Sequence, residues 1–469
     1  MFIEHEKDVE KIRQELLATP RNTTLHNSSS PSNITRSNAY KSQGTHLNIN
    51  HLNRILKIDT ASNRIIVEPR VTMEQLAQAA LKHHRMVPVI PEFKGITVGG
   101  AIQGTGLESS SHRFGLFSDS CLAYEILLGN GEIIRATREE HADLFYGIVG
   151  SYGSLGIILS VELPLIPAEP WVRLHYKTFH SVEDCSRYLQ QENSADFVEG
   201  IVYAPDHIQI IEGRSSPSNT SLPQLSPKPW SRWFYHHAKE IQHGHEEMMP
   251  LIDYLFRHDR GAFWIGAYGT YPLAMVRYFV EKRLNSKFLT RILPQFDPAN
   301  FQGLRDPGWF FRFLCGWAMT SRRLYSWLHA HAEDWIAKRM IIQDFFIPSE
   351  QLVSFVKTVS QEIQIFPLWL CPIRSTQAPQ IFSPHFSASP KLVNVGIYGA
   401  PQATELAQNL LPKIEAQAHA ANGRKMLYSH SRYSPEKFWE IYSEPQYRKL
   451  RQTYHADRWM SIEKKVLQG

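Results

Sequence analysis

The chain has 469 residues, enough for two domains with a large core, and 43% of them are hydrophobic. Charged residues make up 20%, which is ordinary for a globular protein and excludes a disordered chain. The formal net charge is only +5, from 50 basic and 45 acidic residues. So mild a charge gives no argument for a nucleic-acid partner, although it suits an acidic ligand or weak attraction to anionic lipid.

The cysteines and the apolar runs indicate a cellular location. Four cysteines are widely spaced without a CxxC pair, so we predict free thiols in a reducing compartment and no zinc site. The charged N-terminus has no apolar signal-peptide region, and no run approaches the roughly 18–20 apolar residues of a membrane span. The most apolar run, residues 309–319, contains Arg312; we predict core packing for it, with a lipid-contacting face as the alternative. A cytoplasmic protein is expected, with peripheral membrane contact left open.

The first elements follow from hydrophobic spacing. Val9, Ile12 and Leu16 recur at helical intervals and predict an amphipathic helix. Residues 23–25 predict a short strand that runs into a polar turn, where His26 is expected to face solvent. Residues 55–58 and 64–68 alternate and predict a hairpin. Thr72-Met-Glu-Gln75 is a capping-box pattern that predicts a helix to about residue 83.

Residues 88–118 form a stretch of small and hydroxylated residues that contains six glycines. Glycine lets a ligand approach bare peptide N–H groups, which can form an anion-binding nest for a diphosphate. No GxxxxGK[ST] motif occurs, so the stretch is not a P-loop. Gly104-Thr-Gly106 lacks the last glycine of GxGxxG and does not join a strand to an apolar helix, which excludes a Rossmann motif. A plain glycine-rich surface loop is the alternative.

Further strands and turns follow this stretch. Asn130-Gly131 between residues 123–128 and 132–136 predicts a second hairpin. A short helix is predicted from Asp143, then a small-residue turn at 150–156, then a strand at 157–165. Three prolines at 164–170 predict a domain boundary. Beyond it we predict an α+β domain with an antiparallel sheet, interrupted by Ser/Pro-rich loops at 215–229 and 374–390; its strands include residues 200–203, 341–347, 368–371 and 392–398.

Asp344 is the acid of greatest interest, because it interrupts the apolar strand at 341–347. A buried carboxylate is costly unless it is paired or neutral, and burial would raise its pKa and make it a proton donor. The alternative is a salt bridge with an arginine such as Arg374 or Arg432. Tyr398 and Tyr428 are weaker candidates for donors.

Two other polar clusters have less specific patterns. Arg257-His-Asp-Arg260 could bind an anion such as a nicotinamide phosphate, but a solvated group of salt bridges is the preferred interpretation. Several histidines lie between positions 236 and 258 without a helical pair and a supporting acid, so we predict no metal.

The pattern TVGGAIxGTGxESSSHxxG resembles the flavin-binding loop of the PCMH-type FAD flavoproteins, the vanillyl-alcohol oxidase superfamily. Within it the chain is most similar to the delta(24)-sterol reductase family (seladin/diminuto). That likeness continues through residues 124–125, 143–146, 153–156, 197–200, 257–260, 263–264, 343–344, 348, 367–372, 396–399, 426–428 and 438–439. The resemblance implies an α+β protein: a PCMH-type FAD-binding domain at 1–168, a substrate (cap) domain built on an antiparallel sheet at 169–423, and a segment at 424–469 that returns to the FAD side.

The resemblance also implies roles for individual residues. Candidate FAD contacts are Thr97, Val98, Gly99, Gly100, Thr105, Gly106, Ser109, Ser110, His112, Gly153, Ser154, Gly156 and Ile157; candidate catalytic residues are Asp344, Tyr398 and His112. The covalent-attachment pattern near His26 is absent, so FAD is expected to be non-covalent. A lysine that some members place near the flavin is missing where His430 and Arg432 stand, which disfavours a sugar-oxidase mechanism.

The implied activity is reduction of an isolated C=C bond in a sterol or related isoprenoid lipid, with hydride from flavin N5, a proton from the protein and NADPH as electron donor. A flavin-dependent alcohol or sugar oxidase or dehydrogenase is the alternative. A non-enzymatic interaction protein on a decayed flavin fold is a further alternative.

Overall fold

The computed structural model describes residues 1–28, 34–36, 44–218, 221–269, 306–331, 337–401 and 406–467, together with positions 280 and 283. Helices of at least five residues, including one π-helical turn, span Phe2–Ala18, Met73–Leu81, Val98–Gln103, Ala142–Gly147, Val182–Gln190, Phe234–Glu240, Leu251–Leu255, Ile265–Gly269, Trp309–Cys315, Ser321–His331, Leu352–Thr358, Val359–Ile363, Ala407–Ala420, Pro435–Ile441, Glu444–Thr453 and Ile462–Leu467.

Two antiparallel sheets organise the molecule. The first, here called the N-terminal sheet, has the strand order Ile55–Asp59, Arg64–Val67, Ile157–Pro164, Ala123–Leu127, Ile133–Thr137. The second, here called the large sheet, has the order Glu246–Pro250, Trp171–Phe179, His207–Ser216, Phe197–Ala204, Leu368–Arg374, Lys391–Gly399, Ile341–Pro348, Arg424–Lys425. Two small pairs complete the sheets: Leu25–Ser28 runs parallel to Thr45–Asn48, and Arg85–Met86 pairs with Ile166–Pro167.

Local chemistry explains the predicted turns and caps, which the structure confirms. The Asp59 carboxylate accepts from the backbone N–H groups of Ala61 and Ser62, each at 3.1 Å, and closes the first hairpin. Gly131 takes a φ of 89° in the second hairpin, a conformation that glycine adopts without strain. At the helix that begins with Met73, the Thr72 hydroxyl accepts from Gln75 N and the Gln75 side chain accepts from Thr72 N, which forms the capping box.

The large sheet is covered on both faces, and its residues alternate between two hydrophobic cores. Along Ile341–Pro348 every residue is buried. Ile341, Phe345 and Ile347 pack with the helices Val182–Gln190, Leu352–Thr358 and Ala407–Ala420. Ile342 and Phe346 join the core shared with the N-terminal part, and strand alternation places Asp344 on their side. The same rule places Glu199, Trp369 and Tyr398 on that side, because their chain neighbours Val198, Leu368, Leu370 and Ile397 belong to the helix-covered core.

The C-terminal helices pack back on the N-terminal part. Arg451 Nη1 donates to Ser154 O at 2.7 Å, and Trp459 bridges to the first strand at Leu25. Segment 424–469 thus contributes one short strand to the large sheet and then helices that contact the N-terminal part. The domain boundaries at 168 and 423 stay a prediction.

The structure corrects the predicted exposure of the run at 309–319 and of His26. The run at 309–319 was expected to be core, but Trp309 is 63% exposed and Trp317 is 64% exposed. Together with nearby exposed side chains they form what we call the aromatic surface, which consists of Trp230, Trp309, Phe313, Leu314 and Trp317. Within the described ranges, no helix combines the length and apolar character needed to cross a bilayer.

The second error concerns His26. It lies in the strand Leu25–Ser28 rather than in a solvent-facing turn, is buried, and stacks on His46 with 5.3 Å between ring centroids. Pairing with the distant strand Thr45–Asn48 is what removes it from solvent.

Candidate active site

A cavity of about 250 Å³ lies between the glycine-rich stretch and the buried face of the large sheet. Its lining combines glycine backbone, aromatic rings, three cationic side chains and two acids. These residues include Gly99, Gly100, Gly104, Gly106, Phe263, Tyr325, Trp369, Tyr398, Tyr428, Arg36, Arg70, Lys465, Glu92 and Asp344. Apolar walls with a few convergent polar groups are typical of a small-molecule site.

The glycine-rich side of the cavity, here called the glycine wall, consists of Gly99, Gly100, Gly104 and Gly106 and is tightly packed. Thr97 caps the helix Val98–Gln103, and its hydroxyl accepts from Gly100 N at 3.2 Å. A Cβ at Gly99 would lie 2.9 Å from Pro69 Cβ, and one at Gly104 would lie 2.8 Å from Gly100 O. The sequence has glycine here because no side chain fits, and the bare backbone is therefore available to a ligand.

Cationic side chains from segments far apart in the sequence reach the cavity. Arg36 is buried and its Nε donates to Lys465 O at 2.8 Å, while Lys465 Nζ donates to Tyr152 O at 2.8 Å. The Arg36 guanidinium also lies 4.5 Å from the centroid of the Tyr152 ring. Arg70 is the third cation of the lining. Positive charge beside exposed backbone suits a diphosphate.

Asp344 is buried, and three donors surround its carboxyl group. Oδ1 accepts from Asn394 Nδ2 at 2.6 Å and from Tyr398 Oη at 2.7 Å, and Oδ2 accepts from Tyr428 Oη at 2.7 Å. Burial raises the pKa of Asp344, while the three hydrogen bonds oppose that rise. Burial and the nearby acid also raise the pKa values of both tyrosines, so their hydroxyls stay protonated. The alternative salt bridge with Arg374 or Arg432 is not what forms, since both arginines are exposed and neither pairs with Asp344.

The aromatic side of the cavity, here called the aromatic wall, consists of Phe263, Trp369 and Tyr398 and lies beside Asp344. Phe263 and Trp369 have centroids 4.9 Å apart, and Phe263 lies 5.2 Å from Tyr398. Trp264 Nε1 donates to Tyr398 O at 2.7 Å, which fixes the backbone of that tyrosine. Packed rings exclude water, so a reaction here would take place in an apolar environment.

A buried charge network lies behind the cavity. Glu199 accepts from Arg257 Nε at 2.6 Å, from His258 Nε2 at 2.8 Å and from Trp369 Nε1 at 2.8 Å. The solvated salt-bridge cluster predicted for Arg257-His-Asp-Arg260 is therefore wrong for its first three residues, which are buried. Arg257 also lies 3.8 Å from Glu108, one of the two acids inside the glycine-rich stretch.

The structure brings some predicted site residues to the cavity and leaves others outside it. Thr97, Gly99, Gly100, Gly106, Asp344 and Tyr398 line it. Val98, Thr105, Ser109, Ser110, His112, Gly153, Ser154, Gly156 and Ile157 do not, although Tyr152 in the second turn and Ile158 in the strand that follows it do. The Ser109 hydroxyl instead contacts Glu108 and Tyr254, and Ser110 Oγ donates to Pro88 O.

His112 joins the glycine-rich stretch to the large-sheet side. Its Nδ1 lies 3.0 Å from Ser109 O and its Nε2 lies 3.0 Å from Ala195 O. Burial lowers its pKa. Both ring nitrogens face backbone carbonyls, so His112 is held as a connector away from the cavity.

Sequence reasoning missed Arg36, Arg70, Lys465 and Glu92. Single charged residues that lie tens to hundreds of positions apart carry no local pattern, and only the fold assembles them. The one available signal for Glu92 was its place inside the glycine-rich stretch, three residues before Gly95.

A family model described as an FAD binding domain matches residues 1–137. The human delta(24)-sterol reductase is 31% identical over 427 residues, covering 88% of this chain and 76% of that protein. The chain belongs to the delta(24)-sterol reductase family. The Arabidopsis thaliana member is 28% identical over 467 residues, covering 90% of this chain and 76% of its own length. The decaprenylphosphoryl-beta-D-ribose oxidase of Mycolicibacterium smegmatis is 36% identical over only 133 residues, 28% of this chain and 29% of the oxidase.

Family membership confirms the predicted α+β fold with a PCMH-type FAD-binding domain and a flavin-dependent oxidoreductase. The site fits the cofactor, because bare glycine backbone and cationic side chains suit the diphosphate while the aromatic wall suits a flat ring. All four cysteines are free thiols. Among the described residues, no group of three or more His, Cys, Asp or Glu side chains could hold a metal ion.

Proposed function

We propose that this protein reduces an isolated C=C bond in a sterol or related isoprenoid lipid, with FAD bound non-covalently. The observation that carries the proposal is the buried cavity in which the Asp344 cluster and an aromatic wall adjoin the glycine wall. An unactivated alkene has no oxygen for the protein to polarise, so the site must supply a proton and exclude water. FAD supplies the hydride chemistry when bound.

Individual roles follow from position. Thr97, Gly99, Gly100 and Gly106 contact the cofactor, and the other predicted residues of the two turns support that wall. Asp344 and Tyr398 contact the substrate near its double bond. For His112 we assign a positioning role, because it holds the glycine-rich stretch against Ala195.

We propose NADPH as the electron donor, supported by the resemblance to sterol reductases alone. Anaerobic addition of NADPH is expected to bleach the bound flavin faster than NADH does. Equal bleaching by both, or by neither, would contradict the choice of donor.

A peripheral membrane contact would bring a lipid substrate to the site, and we propose the aromatic surface for this contact. Tryptophans are favoured at the bilayer interface, and the neighbouring exposed Arg322 and Arg323 suit anionic headgroups. The guanidinium of Arg323 lies 4.7 Å from the Trp317 ring. The helix Ser321–His331 carries both Arg323, which contacts Trp317, and cavity-lining Tyr325, so this surface adjoins the cavity.

Vesicle flotation tests this contact. Wild type is expected to float with phosphatidylcholine/phosphatidylserine vesicles, and the double variant Trp309→Ser/Trp317→Ser is expected to stay with the soluble fraction. Ile3→Ser is the matched control, since Ile3 is 69% exposed on the first helix, outside the aromatic surface. Flotation of the double variant at the wild-type level would contradict the proposal.

The activity test is anaerobic. Holoprotein with chemically reduced flavin is mixed with desmosterol, and the flavin is expected to reoxidise as the saturated sterol forms. Asp344→Asn is expected to slow this step, because the amide cannot accept from Asn394, Tyr398 and Tyr428 together. Failure of wild type with desmosterol and with other prenyl lipids, or oxygen consumption with an alcohol instead, would overturn the proposal.

A further inference from the structure

The cavity contains a second acid, Glu92, whose surroundings are unlike those of Asp344. Glu92 is 6% exposed and lines the cavity, and its Oε1 has no hydrogen-bond partner among the described residues. A buried carboxyl oxygen without a donor cannot carry charge cheaply, so the group is held as a neutral acid. It is then able to donate its proton to whatever occupies the cavity.

The groups that face Glu92 explain why it stays neutral. Burial raises the pKa of Glu92 well above its usual value, and the negative charge of Glu108 raises it further. Arg257 and a hydrogen bond from the backbone N–H of Glu92 itself oppose this rise, but the Arg257 guanidinium is engaged by Glu199 at 2.6 Å. Glu199 adds a smaller effect in the same direction as Glu108.

Asp344 differs because three donors stabilise its anion. The two acids are near enough to share one site, since both raise the pKa of Tyr398. When the environments of two acids in a site differ in this way, their roles differ too. The acid with an unpartnered oxygen gives up a proton, and the acid with three side-chain donors holds its neighbours in place.

We propose that Glu92 is the proton donor to the double bond, and that Asp344 orients the hydroxyls of Tyr398 and Tyr428 around the substrate. This assignment rests on the proposed function. One alkene carbon takes a hydride, which reduced FAD supplies with its two electrons, and the other carbon takes the proton from the Glu92 carboxyl group. The C=C bond becomes CH–CH, the flavin is oxidised, and Glu92 is left as a carboxylate. That carboxylate then takes a proton from solvent, because burial beside Glu108 favours the neutral acid.

The kinetic test uses Glu92→Gln, which keeps the size of the side chain but has no acidic proton. Reoxidation of dithionite-reduced flavin by desmosterol is expected to slow by about 10²–10⁴-fold, the usual contribution of a general acid. Glu92→Asp, which keeps an acid, is expected to recover part of the rate. Retained FAD binding and reduction by dithionite show that the variants are folded. Reoxidation of Glu92→Gln at the wild-type rate would overturn the assignment.

Infrared spectroscopy tests the neutral acid without any turnover. The C=O stretch of a buried carboxylic acid, shifted by D₂O, is expected in wild type and in Asp344→Asn and absent from Glu92→Gln. A band that persists in Glu92→Gln and disappears in Asp344→Asn would reverse the assignment. If desmosterol and other prenyl lipids fail to reoxidise the wild-type flavin, the proposed function falls, and the donor role with it. The infrared band still decides separately whether Glu92 is neutral.

Discussion

Replacing Glu199 with glutamine should destabilise the protein strongly, because this one carboxylate holds three buried donors. Burial alone would raise its pKa, but Arg257 and His258 hold the pKa of Glu199 well below its usual value, so it is an anion in the folded state. Glutamine has one acceptor oxygen and no charge. Arg257, whose side chain is fully buried, would then keep Glu108 at 3.8 Å as its anionic partner, together with the hydrogen bond from its Nη1 to Tyr254 O at 2.9 Å.

The expected loss is about 3–5 kcal/mol of unfolding free energy, the cost of removing one partner from a buried ion pair. Unsatisfied N–H groups on Trp369 and His258 contribute to this loss at about 1–3 kcal/mol each, without simple additivity. Urea unfolding followed by tryptophan fluorescence measures the loss. Glu162→Gln is the matched control, because its partners Arg64 and Arg135 are more than half exposed and its loss should stay below about 1 kcal/mol. Equal losses for the two variants would refute the reasoning.

Two further predictions concern the glycine wall and pH. Gly99→Ala places a methyl group 2.9 Å from Pro69 Cβ and should weaken FAD binding about tenfold or more in a fluorescence titration of the apoprotein. Gly95→Ala, whose nearest contact is an ordinary 3.5 Å, is the control, and equal affinities would contradict the tight fit. Burial lowers the pKa of His5, but Glu125 and Glu68 outweigh it and raise the pKa to about 9. His5→Gln should therefore cost most stability below about pH 6.5 and progressively less as pH rises through about 9, and a pH-independent cost in urea unfolding would contradict this.

Local sequence patterns predicted the turns and helix caps that are formed by short-range hydrogen bonds. The hairpin turns at Asp59 and Asn130 and the capping box at Thr72 were all predictable, because each is closed by hydrogen bonds within a few residues. Asp344 stood out for a similar reason, since an acid in an apolar strand is visible without knowledge of its neighbours. Its actual partners were not predictable, because Asn394, Tyr398 and Tyr428 reach it only through strand pairing and a distant loop.

The burial of individual polar residues could not be predicted from the sequence. The sequence around Arg257 and His258 predicted a charged cluster on the surface. Both residues are buried instead, because Glu199, nearly sixty residues earlier, accepts their hydrogen bonds. Conversely, the apolar run at 309–319 has the composition of core but leaves Trp309 and Trp317 in solvent. In both cases the outcome depends on which surfaces the fold brings together.

The hydrogen bond from Arg36 to the carbonyl of Lys465 spans 429 positions of the chain, and both residues line the same cavity. During synthesis on the ribosome, a nascent chain that has not yet reached Lys465 contains the glycine wall, Arg36 and Arg70 but lacks the third cation of the cavity. Tight capture of the cofactor should therefore wait until Lys465 has been synthesised, and bound flavin should stabilise the contact between these two distant segments.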